Sequence, residues 1–203
     1  MSLNHRLAYL GLADFDYLSA RVLMWNGLLN TALQKAAEAF EKILKVNLML
    51  EAKISRNEEL TSRDLMQFEH HLGKLLKEFI TRAKVTVHPD TEKYFAMLQD
   101  AYSRRYPEHW KRFEAEWNVN YMDAVYVNLR DISVENFPKE ERERARSFGT
   151  FLGDLYTPDF IKQIEGLGGR SPWELLAHKN DFMDHFVIDS SRKAKPKLSL
   201  ANT

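Results

Sequence analysis

The sequence predicts an all-α protein, an up-and-down bundle of four main helices with a fifth helix and a helical C-terminal extension. Two observations lead there. Leu33, Ala36, Ala37, Phe40, Ile43, Leu44 and Asn47 recur at the three- and four-residue steps of one helix face, with Gln34, Glu38, Glu41, Lys42 and Lys45 on the others. Matching stripes flank this helix in sequence: Phe15, Leu18, Val22 and Trp25 before it, and Leu65, Phe68, Leu72, Leu75, Leu76 and Phe79 after it. The connections are short enough to make the neighbours antiparallel. The alanines let those neighbours approach closely, and the helix needs them to be stable.

In chain order, the first helix is expected to begin near Asp14, a good N-cap, and to end at Asn26-Gly27, where glycine can turn left-handed. The central helix follows and stops before the polar stretch from Ser55 to Glu59. Thr61-Ser-Arg-Asp64 reads as a capping box that opens a third helix from Ser62 to Ala83. Val85-Thr-Val-His-Pro89 ends it with β-branched residues and a proline. Asp90 restarts the chain as a fourth helix, with Tyr94, Leu98, Ala101 and Tyr102 inward and Arg105-Tyr-Pro107 as its stop. The stretch from Glu108 to Asn118 carries no assignment. Asn120 to Ile132 makes a fifth helix with Met122, Val125, Leu129 and Ile132 inward. The charge run from Lys139 to Arg144 is the solvated face of a sixth, and Thr157-Pro158 and Ser171-Pro172 open two more. From Ser190 onward Arg192, Lys193, Lys195 and Lys197 alternate with small residues, the composition of a disordered basic tail.

The 203 residues suit one domain with an appendage, or two small ones. Lysine plus arginine equals aspartate plus glutamate at 29 each, so the net field gives no reason for non-specific attraction to nucleic acid or anionic membranes. The absence of cysteine excludes disulfides, thiolate metal sites and a cysteine nucleophile. No apolar run reaches bilayer length and the N-terminus lacks a signal pattern, so the chain reads as soluble and cytoplasmic.

Four pieces, in order, are similar to the HEPN family of nucleotide-binding helical domains. They are Asp16-Tyr-Leu-Ser-Ala-Arg21, Ala37-Glu-Ala-Phe-Glu-Lys-Ile-Leu-Lys45, His70-His-Leu-Gly-Lys-Leu-Leu76 and Tyr102-Ser-Arg-Arg-Tyr-Pro107. The resemblance covers residues 10–131 and leaves 132–189 as a helical extension packed on the bundle, with 190–203 as the tail. It implies a bundle that dimerises and binds RNA, a nucleotide or a protein partner such as a nucleotidyltransferase, in a toxin–antitoxin or defence setting. A purely structural dimerisation module is a further alternative. The family's third-helix motif often reads His-Asp-Leu, and here His71 replaces the aspartate.

Active ribonucleases of that family carry an arginine, a polar residue and, after a short gap, a histidine. Arg63, Asp64 and His70 fit at the longest permitted gap. On one continuous helix Arg63 and His70 would stand about two turns apart on nearly one face. A guanidinium there would hold the phosphate, and an imidazole would move the ribose 2′-hydroxyl proton, with no cofactor or metal required. The structural alternative makes Arg63 a surface residue and His70 a packing histidine beside Phe68. Arg104, Arg105, Tyr106, His109 and Trp110 combine rings that stack on bases with cations that hold phosphates, and form the candidate ligand-binding cluster. Tyr106 and Trp110 as end caps of the bundle are the plainer reading. Glu174, His178, Asp181 and His185 line one helix face at metal-ligand spacing, but that face is expected to be solvated rather than metal-binding. Gly166-Leu-Gly168-Gly169 lacks the preceding strand of a phosphate loop and reads as a turn.

Overall fold

A computed structural model describes residues 3–104, 119–147 and 188–189. In chain order the elements are α1 (Leu3–Trp25), α2 (Leu29–Arg56), the short α3 (Ser62–Leu65) continued by a 3-10 turn at Met66–Phe68, α4 (Leu72–Ala83), β1 (Thr86–Val87), α5 (Pro89–Ser103), α6 (Val119–Asn136), α7 (Lys139–Ser147) and β2 (Ile188–Asp189). The class is all-α. Its only pairing of strands among the described residues is the two-residue antiparallel contact of β1 with β2.

The alanine-rich α2 is the element that the others share, packing against α1, α4, α5 and α6. Its predicted stripe is buried throughout. Phe40 stands edge-on to Tyr94, Phe95 and Tyr126, with ring centroids 5.3–5.7 Å apart, so one side chain of α2 joins α5 to α6. Asn47, fully buried, donates its amide hydrogens to the carbonyls of Ile43 and Leu129 at 3.1 Å each and ties α2 to α6 without leaving that donor group unsatisfied. The predicted inward stripe of α5 is buried as well. In α6, Met122, Val125 and Leu129 are buried and Ile132 is half-buried.

Several helix ends follow the local signals. Gly27 sits at φ +74°, its N–H donates to the Met24 carbonyl and that of Leu28 to the Leu23 carbonyl, the double closure that a left-handed residue permits. The capping box at Thr61 and Asp64 forms in both directions, with N–H to Oδ2 at 2.7 Å and N–H to Oγ1 at 3.3 Å. Pro89 takes the first position of α5, behind His88, whose Nδ1 accepts from the Asp90 N–H.

Two expectations are corrected. The first helix starts eleven residues earlier than Asp14, at Leu3, and its buried face is the opposite one. Leu7, Leu10, Ala13, Tyr17 and Ala20 point inward, whereas Phe15, Val22 and Trp25 are 50–69% exposed and Leu18 is half-buried. The reason is electrostatic: Asp14 does not cap the helix but is buried in its middle, holding Arg130 of α6 through Oδ1 and Oδ2 at 3.0–3.2 Å and accepting from the Tyr126 hydroxyl at 2.8 Å. Arg21 forms the matching bidentate pair with Asp123 at 2.8 Å, and Tyr17 donates to the same carboxylate. These pairs run in opposite directions along the two helices, so α1 and α6 are antiparallel.

The second correction concerns the third helix, which is not continuous. Glu69 takes φ +46° and His71 is extended, so the chain bends between Phe68 and Leu72. Leu72 then starts α4 by donating its N–H to the Gln99 side chain of α5 at 2.6 Å. Helices expected after Thr157 and Ser171, and the tail from Ser190, lie outside the described residues. No helix among the described residues is long and apolar enough to cross a membrane.

Candidate functional site

The bend between α3 and α4 decides where His70 points. Released from the helix, its ring reaches across to α2, where Nδ1 lies 2.9 Å from Oε2 of Glu41. Glu41 also accepts from Lys45, four residues on, at 2.5 Å through its other oxygen. A carboxylate held by a lysine is an acceptor, so the Nδ1 of His70 donates to it and Nε2 is the ring nitrogen that Glu41 does not engage. Glu41 is buried and His70 is 56% exposed on its side chain, so a buried carboxylate orients an imidazole that solvent can reach. This is not a packing histidine beneath Phe68.

The other wall comes from α5. Tyr102 packs its ring against His70 with centroids 5.5 Å apart, and the Gln99 cap on Leu72 holds the end of α5 beside the start of α4. Arg104, two residues past Tyr102, pairs with Asp100 on the last turn. The third-helix histidine and the first residue of the basic and aromatic cluster, separate in the sequence, therefore belong to one end of the bundle. His71 is exposed in the same bend and lies 3.5 Å from Glu69. A Cβ at Gly73, in the first turn of α4, would meet nothing within 4 Å.

The remaining predicted site residues divide into two groups. Asp64 is exposed and its carboxylate serves the capping box, accepting from the backbone and hydroxyl of Thr61. Arg63 lies in α3, ahead of the bend that contains His70, and its side chain is outside the described residues. The two-turn alignment of Arg63 with His70 does not exist, because no continuous helix joins them. Arg105, Tyr106, His109 and Trp110 lie outside the described residues, as do Glu174, His178, Asp181 and His185. Among the described residues no group of three histidine, aspartate or glutamate side chains is placed to hold a metal ion.

Periodicity set Glu41 off the apolar stripe of α2 and gave no sign that it is buried. Its available signal was the spacing to Lys45, which marks a pair but gives no hint of His70 across the bundle. No family model, curated protein or solved structure matches the chain.

Proposed function

We propose that the end of the bundle formed by His70 and Arg104, with Tyr102 buried against the imidazole, binds a phosphate-bearing ligand whose base stacks on the exposed His70 ring, a single-stranded RNA or a nucleotide. The observation that carries this reading is the Glu41–His70 pair. A buried carboxylate that fixes the tautomer of an exposed imidazole beside a tyrosine ring is an arrangement for handling a polar ligand, and core packing does not call for it. Arg104 supplies the cation, and the first turn of α4, at Gly73 and Lys74, has N–H groups with no acceptor within their own helix.

Fluorescence anisotropy with a labelled oligouridylate tests this. Binding should weaken with rising salt, as phosphate contacts require, and should fall at least tenfold in His70→Ala and in Arg104→Ala. Asp100→Ala should strengthen it, because Asp100 competes with the ligand for Arg104. Binding that is unaffected by all three changes places the ligand elsewhere.

One feature of the same geometry favours a second reading, a metal-independent endoribonuclease. The Nε2 of a ring anchored at Nδ1 is the atom that would take the 2′-hydroxyl proton as the oxygen attacks the adjacent phosphorus, while the bond to the 5′-oxygen breaks and that oxygen takes a proton from water. In that case RNA incubated with chelator is cut to products ending in a cyclic phosphate, and His70→Ala loses cleavage. Intact RNA under saturating binding assigns the site to binding alone.

A further inference from the structure

The stretch from Ser62 to Leu72 contains neither glycine nor proline, and its Leu65 and Phe68 keep helical phase with Leu72, Leu75, Leu76 and Phe79, so nothing local calls for a break. The chain breaks there all the same, at Glu69. Its φ of +46° and ψ of −126° belong to a region that glycine enters readily and a side chain rarely does. Asn57 and Lys84, which also have positive φ, close α2 and α4 in the ordinary left-handed conformation and carry no such strain. Two contacts from other helices hold Glu69 where it is: the ring of His70 on Glu41 of α2, and the N–H of Leu72 on the Gln99 side chain of α5. Tertiary contacts that override local preference in this way mark an element with a second conformation close at hand.

We propose, resting on the binding reading above, that the stretch from Ser62 to Ala83 is a two-state switch for the site: the bent form binds the ligand, and a straightened form, one helix from end to end, does not. On a straight helix His70 would stand about 200° around the axis from the buried Leu72, so its imidazole would face away from the core and from Glu41. Phe68, half-buried in the bent form, would fall within about 40° of Leu72 and join the buried stripe. The N–H groups of Leu72, Gly73 and Lys74 would bond to the carbonyls of Phe68, Glu69 and His70. Straightening thus relieves Glu69, buries more of Phe68 and completes the first turn of α4, and it gives up the Glu41 and Gln99 contacts. Hydrogen bonds are exchanged for hydrogen bonds, which leaves the two forms close enough in free energy for a ligand to choose between them. A ligand that engages His70 in the bent form draws the population toward it.

The test uses the full chain. Glu69→Gly reads the strain, because the Glu69 side chain is exposed and its contact with His71 is an exposed pair of little worth. Glycine suits the bent backbone and disfavours the straight helix, so this variant should melt a few degrees higher and bind oligouridylate no more weakly. Gln99→Leu removes the acceptor that starts α4 and should act in reverse. Its Gly73 and Lys74 amide hydrogens, followed by NMR without ligand, should exchange about tenfold more slowly as the helix forms ahead of them, and oligouridylate should bind about tenfold more weakly. Adding Glu69→Gly to Gln99→Leu should return both exchange and affinity most of the way, a rescue that simple loss of a cap does not give. Faster exchange of the two amides in Gln99→Leu, the sign of a frayed helix, overturns the switch. So does a lower melting temperature in Glu69→Gly, which decides against it even where Gln99→Leu fails to fold. Failure of the unsubstituted chain to bind oligouridylate removes the binding reading alone, since melting and exchange report the switch without ligand.

Discussion

Asp14 and Arg130 show what a residue can and cannot reveal from its place in the sequence. As an aspartate ahead of an apolar stripe, Asp14 has the appearance of a cap, and only Arg130, far along the chain, turns it into half of a buried ion pair. Burial pushes its carboxyl above its ordinary value, against the charge of Arg130 and the hydrogen bonds from Arg130 and Tyr126, which lower it. Because the folded value is raised, Asp14 contributes most to stability at pH below its unfolded value, and this contribution is lost as pH rises through the folded value. Removing Arg130 takes away its charge and hydrogen bonds and leaves the carboxylate alone in the core. Arg130→Met should therefore cost about 3–5 kcal/mol at neutral pH, and less as acid protonates Asp14. Urea unfolding at neutral and mildly acidic pH measures both values, and an equal loss at the two would show that Asp14 is not the group left stranded. Pairing the change with Asp14→Leu should restore most of the stability. Glu41 makes the same point at the candidate site: its type and its spacing to Lys45 were visible, but the His70 that it holds comes from beyond α3.

At the scale of elements, local chemistry predicts starts and stops better than it predicts faces. Thr61 with Asp64 and Pro89 behave as their types require, because caps are made by residues a few positions apart. Gly27 is the clearest case, since its left-handed backbone closes α1 and redirects the chain into α2. Gly27→Ala should cost about 1 kcal/mol with nothing nearby to clash, a backbone effect that thermal unfolding would read as a small fall in melting temperature, and Gly27→Asn should cost less. An unchanged melting temperature in Gly27→Ala would mean that the chain turns there by another route. The face of α1 was read in the wrong phase for a physical reason. Its apolar residues do follow helical periodicity on the outward side, while its charges turn inward to Asp123, Arg130, Lys42 and Glu59, partners that lie on other elements. The broken third helix was hidden similarly, because Leu65 and Leu72 keep helical spacing while Gln99 of another helix supplies the cap that lets α4 begin afresh.

For the whole molecule, the question is whether the segment after α6 is an appendage or part of the fold. The sequence shows a change of composition there and too few large apolar residues for a separate core. The structure puts weight on the start of that segment. Phe137 and Ala145 are buried, and Arg130, already bound to Asp14, also donates to the Ala145 carbonyl at 3.1 Å. Farther on, Ile188 and Asp189 return to pair with Val87 and Thr86 at the start of α5. The surface pairs of Arg142 and Arg146 with Glu135 add little, since exposed ion pairs are worth a fraction of a kcal/mol. What the stretch from Phe137 through α7 contributes is the buried ring of Phe137 and one acceptor for a buried guanidinium, together on the order of 3 kcal/mol. A chain ending at Asn136 should melt well below the full chain and bind an apolar dye, whereas one ending at Ser147 should recover most of the difference because it keeps both contacts. If the chain ending at Asn136 melts with the full one, α7 is an appendage. If the chain ending at Ser147 melts as low as the shorter one, the stabilising contacts lie beyond α7, and the pairing of β1 with β2 becomes the first place to look for them.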